Sequence, residues 1–238
     1  MTTSLGQAGA GQPHPPERHF CKTLVAERVG GRKAALLNAN QWQLGETIKI
    51  RFLEGDAGLR DRVKAAANAW TGPSMANLNL VYVDDDSAEV RITFQQGAGS
   101  WSYIGTECRS HPGEATINFG WLTPESSDND VKSVVLHEFG HMLGLIHEHQ
   151  NPNSPINWNR SAVIADLSGP PNNWDQPTIE FNIFDPYDKT KLTTTILDPK
   201  SIMMYQIPAA WTTDGFSTEF NGDLSPLDKQ LIAQVYPT

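Results

Sequence analysis

Three histidines, a glutamate and a glycine stand at fixed spacing in the sequence H-E-x-x-H-x-x-G-x-x-H, which begins at His137. Histidines four residues apart on an α-helix project from the same face, so His137 and His141 can hold one metal ion. Gly144 can adopt the positive φ that ends a helix, and the resulting turn can bring His147 back to the same ion. Three nitrogen ligands leave one position open for water, which is the arrangement of catalytic rather than structural zinc.

The residues around these ligands agree with a catalytic site. Glu138 directly follows the first histidine and can reach that water as its general base. A bare H-E-x-x-H on a solvated helix is the alternative, but the added glycine and third histidine make a chance match rare. Apolar residues at helical spacing, preceded by N-cap candidates, predict a helix from about Asn129 to Leu143.

A second motif, Ser201-Ile202-Met203-Met204-Tyr205, lies well after the third histidine. The extended histidine pattern ends in such a methionine turn. Met203 alone would be ordinary core packing. Together with the histidines, it is predicted to form the hydrophobic floor under the metal without being a ligand.

These motifs resemble those of the metzincin clan of zinc endopeptidases and, within it, a divergent, microbial-type branch of the astacin-like family. The similar segments are H-E-F-G-H-M-L-G-L-I-H-E-H from residue 137, S-I-M-M-Y from 201 and G-S-W-S-Y-I-G from 99. The family has H-E-x-x-H-x-x-G-F-x-H-E-H, S-I-M-H-Y and G-C-W-S-Y-V-G at these places. The resemblance covers roughly residues 34–238, but the family's four cysteines are not shared, because only Cys21 and Cys108 are present.

The resemblance implies roles for further side chains. It implies that Tyr205 ligates zinc at rest and swings away to stabilise the oxyanion. Glu148 would bind the mature amino terminus in a buried ion pair, or else support the ligands. An extended substrate would lie antiparallel to an edge strand, a form of β-augmentation. That strand would contain Ser100, Trp101, Ser102 and Tyr103.

The function that the resemblance implies is hydrolysis of internal peptide bonds by a zinc endopeptidase with one catalytic Zn²⁺. One alternative is a non-catalytic, zinc-containing binding or toxin-like module. Glu138 argues against that module, because a lapsed enzyme has little need for a base beside its ligands. Another alternative is a latent zymogen that needs removal of its amino-terminal segment.

Cys21 lies upstream of the resembling region, in a segment with several prolines. One interpretation is a structural thiol, either free or paired with Cys108. The other is a latency thiol, because a soft thiolate binds zinc well and could fill its open position.

The order of predicted elements is strand, helix, several strands and the zinc helix, which predicts an α+β fold with helices packed on a mixed sheet. The resemblance implies a metzincin-like zincin fold. Its upper half, residues 34–144, would hold a mixed twisted sheet and the active-site helix. Its lower half, residues 145–238, would be loop-rich with a C-terminal helix. Residues 1–33 would form an arm, a candidate propeptide. Predicted strands include residues 47–53, 78–83, 89–94, the segment around Trp101 and 115–121; predicted helices begin near residues 57, 129, 159 and 226.

Composition limits the partners and the location. The net charge of −9 and the pI near 5.2 argue against nucleic acid and anionic membranes. The resemblance implies a protein or peptide substrate, and we expect a monomer. The resemblance implies an extracellular enzyme, whereas the first residues lack the pattern of a signal peptide, which leaves an intracellular location as the alternative.

Two tryptophans of the lower half, Trp174 and Trp211, could either line a substrate pocket or pack loops together. Spacing rules do not decide between these interpretations, and they do not predict the cleaved side chain.

Overall fold

The computed structural model describes residues 20–24, 40–153, 156–187 and 196–238. Within them, one sheet has the strand order β1-β5-β6-β4-β2-β3. Its pairings are parallel except that of β5 with β6, so the sheet is mixed, as predicted. The strands are β1 Lys22–Leu24, β2 Thr47–Phe52, β3 Asn79–Tyr82, β4 Val90–Thr93, β5 Ser100–Tyr103 and β6 Ile117–Phe119.

The predicted helices are present, and each begins within one residue of its predicted start. Short 3₁₀ turns cover Asn68–Thr71, Gly105–Ser110, Glu148–Gln150 and Ala209–Trp211, and a π-helical turn covers Glu180–Phe184. The helices are α1 Ala57–Ala67, α2 Asp128–Met142, α3 Arg160–Leu167, α4 Gln176–Ile179 and α5 Pro226–Val235. The α+β class is therefore confirmed.

Local sequence explains where the upper elements form. In β2, Ile48 and Ile50 are fully buried and their neighbours Thr47 and Lys49 are exposed, which is the alternation of a strand with one face on the core. Helix α1 begins after Asp56, whose side chain accepts a hydrogen bond from the Leu59 backbone N–H at 3.0 Å. This helix packs against α2 and positions it over the sheet.

The described residues form two large hydrophobic clusters. The upper cluster joins the sheet to α1 and α2. It also contains Ile232 and Tyr236 near the end of the chain, so α5 follows the lower half in sequence but packs on the upper one. The lower cluster joins α3 and its neighbouring turns to the methionine-turn segment. Phe20 and Cys21 belong to this lower cluster.

Most of the predicted arm, and its boundary at residue 33, lies outside the described residues. None of the described helices is long and apolar enough to cross a membrane. Strand β1 extends the sheet at its β5 edge, so the described part of the arm is continuous with the fold.

Candidate metal centre

Helix α2 carries two of the predicted ligands and ends as the sequence predicts. Its N-cap Ser127 accepts a hydrogen bond from the Asp130 backbone N–H. Gly144 has a φ of 98°. The Gly144 N–H donates to the His141 carbonyl at 2.8 Å, and the Leu145 N–H donates to the Gly140 carbonyl at 2.9 Å. These two bonds form a Schellman motif, which reverses the chain and returns His147 to the helix face.

The three histidines meet Cys21 in one cluster. The Cys21 Sγ lies 3.0 Å from His137 Nε2, 3.6 Å from His141 Nε2 and 2.9 Å from His147 Nε2. The Nε2 atoms of His141 and His147 are 3.1 Å apart. The four ligand atoms all lie within 4.8 Å of one another.

Backbone carbonyls orient two of the imidazole rings. Nδ1 of His137 donates to the Ile202 carbonyl at 2.7 Å, and Nδ1 of His141 donates to the Leu145 carbonyl at 2.9 Å. Each Nε2 therefore points its lone pair into the cluster. Burial lowers the pKa of His137 to about 4 and that of His141 to about 3, so both rings are neutral at pH 7. Neutral imidazole is the form that binds a metal.

The donor set fits zinc. A tetrahedral ion with Zn–N near 2.0–2.1 Å and Zn–S near 2.3 Å places its ligand atoms about 3.3–3.6 Å apart. Of the observed separations between Sγ and the three Nε2 atoms, 3.6 Å falls within that spacing, and 2.9 and 3.0 Å are a few tenths of an ångström shorter. Three imidazoles and one thiolate form a borderline-soft set that zinc accepts.

The Cys21 thiol is fully enclosed by this site. Burial, with a contribution from the Glu138 charge, raises the pKa of Cys21 well above its usual value, and the Tyr205 hydroxyl opposes the shift. A bound cation reverses this tendency, because a coordinating thiol is deprotonated. Both cysteines are free, so the pairing of Cys21 with Cys108 is excluded. Cys108 instead packs in the upper cluster.

Glu138 is fully buried, and neither of its carboxylate oxygens has a hydrogen-bond partner within the described residues. Burial raises its pKa well above the usual value. A buried carboxylate without partners is uncommon and calls for an explanation. A carboxylate at this position can take a proton from a water molecule held beside the histidines.

Met203 lies under the histidine helix. A side chain at Gly140 would place its Cβ 2.4 Å from the Met203 Sδ, closer than the two atoms can approach. Gly140 therefore permits the contact between α2 and the methionine turn. Sequence reasoning did not identify this role, because a glycine inside a helix carries no pattern that predicts its neighbour.

Asp228 is a second residue that sequence reasoning missed. Its carboxylate accepts hydrogen bonds from Ser201 Oγ at 2.6 Å and from the Ile202 N–H at 2.8 Å. It also closes a capping box with Ser225 at the start of α5. Helix α5 thus fixes the turn that supplies the carbonyl for His137. The spacing of Ser225 and Asp228 could have predicted the cap but not its contact with the turn.

Tyr205 stands at the edge of the cluster. Its hydroxyl donates to the Cys21 carbonyl at 2.5 Å and lies 4.0 Å from the Cys21 Sγ. Its ring centroid lies 4.4 Å from that of His147 and 4.3 Å from that of His149. The pKa of Tyr205 is raised well above its usual value, mainly by burial, so the hydroxyl keeps its proton.

Glu148 follows the third histidine and is largely buried. Its carboxylate accepts hydrogen bonds from Asn151 Nδ2 at 3.0 Å and from the Asp198 N–H at 3.1 Å. Burial raises its pKa to about 7. Its backbone N–H also donates to the Met203 carbonyl at 3.0 Å, which ties the third ligand to the methionine turn.

Strand β5, which the resemblance implies is an edge strand, lies between β6 and β1 in the described residues. Lys22 pairs with Trp101, Thr23 with Ser102 and Leu24 with Tyr103, and the two strands are parallel. The amino-terminal segment therefore runs in the opposite direction to the antiparallel substrate that the sequence led us to expect. A cleft of about 870 Å³ opens beside Glu138 and includes Phe20 and Ser100 in its wall.

Three imidazoles with a carboxylate beside them, on a helix that ends at a glycine above a methionine turn, define a zinc peptidase site of the metzincin class. The family model described as Astacin, a peptidase family, matches residues 37–218. The chain therefore belongs to the astacin family. It is a zinc metalloendopeptidase and acts on protein or peptide substrates.

Solved structures agree with this assignment. One structure of myroilysin is 41% identical, covers 85% of this chain and 98% of its own, and has a TM-score of 0.82. Another myroilysin crystal structure is 38% identical, covers 93% and 92%, and has a TM-score of 0.68. High choriolytic enzyme 1, a hatching enzyme zinc-protease from Oryzias latipes (Medaka fish), is 18% identical, covers 85% and 96%, and has a TM-score of 0.58, which shows the shared fold alone. Comparison with curated proteins gave no match.

Proposed function

We propose that this metalloendopeptidase cleaves internal peptide bonds with His137, His141 and His147 as zinc ligands and Glu138 as general base. The observation that carries the proposal is the buried Glu138 carboxylate, which has no hydrogen-bond partner within the described residues and directly follows a ligand. Zinc held by these imidazoles would supply Lewis acidity, which would lower the pKa of a water toward about 7 and polarise a carbonyl.

Glu138 would take the proton of the attacking water and then deliver it to the leaving amine. The same carboxyl would carry the proton from the first step to the second, so no other acid is needed. The hydrogen-bonded imidazole rings and the buried Met203 beneath them would hold the reacting groups in fixed relative positions.

Tyr205 would stabilise the oxyanion of the tetrahedral intermediate. Its hydroxyl already donates to a peptide carbonyl, that of Cys21, next to the histidines. A substrate carbonyl in the same place would receive the same hydrogen bond, and the bond would strengthen as negative charge develops.

Substitution tests these roles. Zinc-loaded Glu138→Gln should retain stoichiometric zinc and lose about 10²–10⁴-fold in kcat against casein or a labelled peptide. Tyr205→Phe should lose about 10²–10³-fold in kcat with little change in KM. The exposed Glu125→Gln is the matched control and should keep full activity. Full turnover by Glu138→Gln would remove it from the mechanism.

Cys21 supports a second proposal, that the full chain is a latent form of the same enzyme. A thiolate at this Sγ would fill the position that the substrate carbonyl and water need, and β1 would cover the strand that binds substrate. Removal of residues up to about Arg32 would then activate the enzyme. Glu148, which is partly buried and hydrogen-bonded to Asn151 and the Asp198 N–H, would receive the new amino terminus.

Latency is tested with the full chain. Zinc-loaded Cys21→Ser should show a higher initial rate and a shorter lag than the wild type, because the thiolate is gone although β1 still lies along β5. Amino-terminal sequencing during the lag would locate the cut. Cys108→Ser removes the other buried thiol and should keep the lag. Equal initial rates for wild type and Cys21→Ser would contradict the latent state.

A further inference from the structure

Phe20 directly precedes the cysteine in the metal centre, and its side chain is buried in the lower hydrophobic cluster, with 6% exposed. Its ring stacks on Trp211 with a centroid distance of 5.1 Å and an interplanar angle of 29°. The Tyr205 ring lies on another side, 5.0 Å away and tilted by 52°. An aromatic side chain therefore fills a pocket that borders the groups proposed to carry out the reaction.

The walls of this pocket are built independently of the amino-terminal segment. Trp211 is 1% exposed and donates its indole N–H to Asp166 of α3 at 2.8 Å. Trp174 belongs to the same cluster and is 3% exposed. The cleft of about 870 Å³ beside Glu138 is lined by both Phe20 and Trp174 and continues past them toward the segment around Gly99. A side chain that replaced Phe20 would therefore meet a pocket already formed.

The direction of the chain identifies the subsite. In β1, Lys22 pairs with Trp101 and Leu24 with Tyr103, so Phe20 lies beyond Cys21 toward the Gly99 end of β5. A substrate antiparallel to β5 would place the residues before its scissile bond against Tyr103 and Trp101. The residue after the scissile bond would then lie where Phe20 lies.

We propose that the pocket now filled by Phe20 binds the side chain of the substrate residue that follows the scissile bond, and that it selects aromatic residues there. This inference rests on the proposed function, since it assumes cleavage at the zinc site. The ring faces of Trp211 and Tyr205 offer stacking to an aromatic ring. An acidic or amide side chain would lose its hydration in this apolar cluster, and alanine would leave it underfilled.

The experiment uses the full chain with both arm side chains removed, Phe20→Ala/Cys21→Ser, loaded with zinc. A mixed peptide library is digested, and mass spectrometry identifies the residue after each scissile bond. We expect phenylalanine, tyrosine and tryptophan to exceed alanine and aspartate by about tenfold or more in rate. Cleavage without aromatic enrichment at that position would overturn the proposed specificity and leave the proposed function standing.

Binding of short peptides tests the same pocket without turnover. Calorimetry with the zinc-loaded double variant should give Phe-Ala-Ala amide at least about tenfold tighter binding than Ala-Ala-Ala or Asp-Ala-Ala amide. Equal affinities would mean that Phe20 only anchors the arm. If the library is not cleaved even after amino-terminal sequencing shows that residues up to about Arg32 are gone, the proposed function fails, and the calorimetry still decides whether the pocket selects aromatic side chains.

A substitution of Trp211 tests whether this wall of the pocket creates the preference for aromatic residues. Trp211→Leu on the double-variant background should reduce the preference for aromatic over alanine peptides by about fivefold or more. Trp42→Leu makes the same change at a buried tryptophan of the upper cluster and should leave the preference unchanged. If the aromatic preference persists in zinc-loaded, folded Trp211→Leu protein, residues other than Trp211 create that preference. If Trp211→Leu does not fold, the library profile of its parent variant still decides.

Discussion

The metal centre is lined by two regions that differ in how firmly they are held. Helix α2 and its turn contribute three imidazoles, two of them oriented by backbone carbonyls, on a helix that packs in the upper cluster. The amino-terminal segment contributes Cys21, held by the short strand β1 and by the Phe20 ring. The first region packs in the upper cluster, whereas the latent form proposed above requires the second to leave. Helix α2 with its turn is therefore called the permanent region, and residues 20–24 are called the removable region.

The largest effect should come from exchanging one ligand in each region. His141→Ala, made in a chain that already carries Cys21→Ser, should lose zinc and reduce peptide cleavage to background, because the ion would keep only two imidazoles. Cys21→Ser should keep one zinc per chain and gain activity. Zinc content after dialysis, measured together with the initial rate, checks both outcomes. Loss of zinc from Cys21→Ser equal to that from His141→Ala would erase the distinction between the two regions.

The pH dependence of the metal-free protein probes the permanent region. The folded-state pKa values of His137 and His141, about 4 and about 3, lie below the unfolded value of 6.5. Unfolding therefore takes up protons as the pH falls, so stability is retained above pH 6.5 and declines below it. Between pH 7 and pH 5 each ring should remove about 2 kcal/mol from the free energy of unfolding. The raised pKa values of Glu138 and Glu148 act in the opposite direction over this range, because the folded state binds those protons. Urea titrations of the metal-free wild type and of His137→Gln/His141→Gln at both pH values isolate the contribution of the two rings, and the same pH dependence in both proteins would contradict neutral ligands.

Phe20→Ala probes the removable region. Removal of a buried aromatic ring should weaken the hold on the arm and shorten the activation lag of the full chain by about 10–100-fold. Val135→Ala in α2 is the comparison, because it removes a buried side chain from the other region. It should lower the global melting temperature and leave the lag nearly unchanged. Equal lags for Phe20→Ala and wild type would show that the ring does not hold the arm.

The smallest effect should come from Asp228→Asn, which weakens the link between α5 and the methionine turn. The loss of charge-assisted hydrogen bonds to Ser201 and the Ile202 N–H should reduce stability by about 1–2 kcal/mol. The control Asp223→Asn removes an exposed ion pair with Lys132 and should change stability by less than about 1 kcal/mol. Denaturant unfolding compares the two variants, and equal losses would remove the special role of Asp228.

The sequence predicted the permanent region better than the removable one. Helix periodicity and the spacing of the histidines suffice to place His137 and His141 on one face, and Gly144 marks the turn that returns His147. The elements of the sheet followed from alternation, as at Ile48 and Ile50. These features are local, so patterns within a few residues determine them.

The remaining features depend on contacts between distant parts of the chain. No local pattern predicts that Phe20 stacks on Trp211, that Met203 packs against Gly140, or that Asp228 holds the methionine turn. The direction of β1 along β5 likewise depends on tertiary packing, because a three-residue strand carries too little pattern to specify its partner. The structure was needed to place the amino-terminal segment at the metal centre.

Cobalt substitution tests the central claim, that three imidazoles and a removable thiolate hold one ion, most directly. The full chain loaded with Co²⁺ should show a sulfur-to-metal charge-transfer band in the near ultraviolet, because the Cys21 Sγ lies within 3.6 Å of each histidine Nε2. Cys21→Ser should lose that band and still bind one equivalent of Co²⁺, whereas Cys108→Ser should keep it. Absence of the band from the wild-type spectrum, or persistence of the band in Cys21→Ser, would contradict coordination of the ion by the Cys21 thiolate.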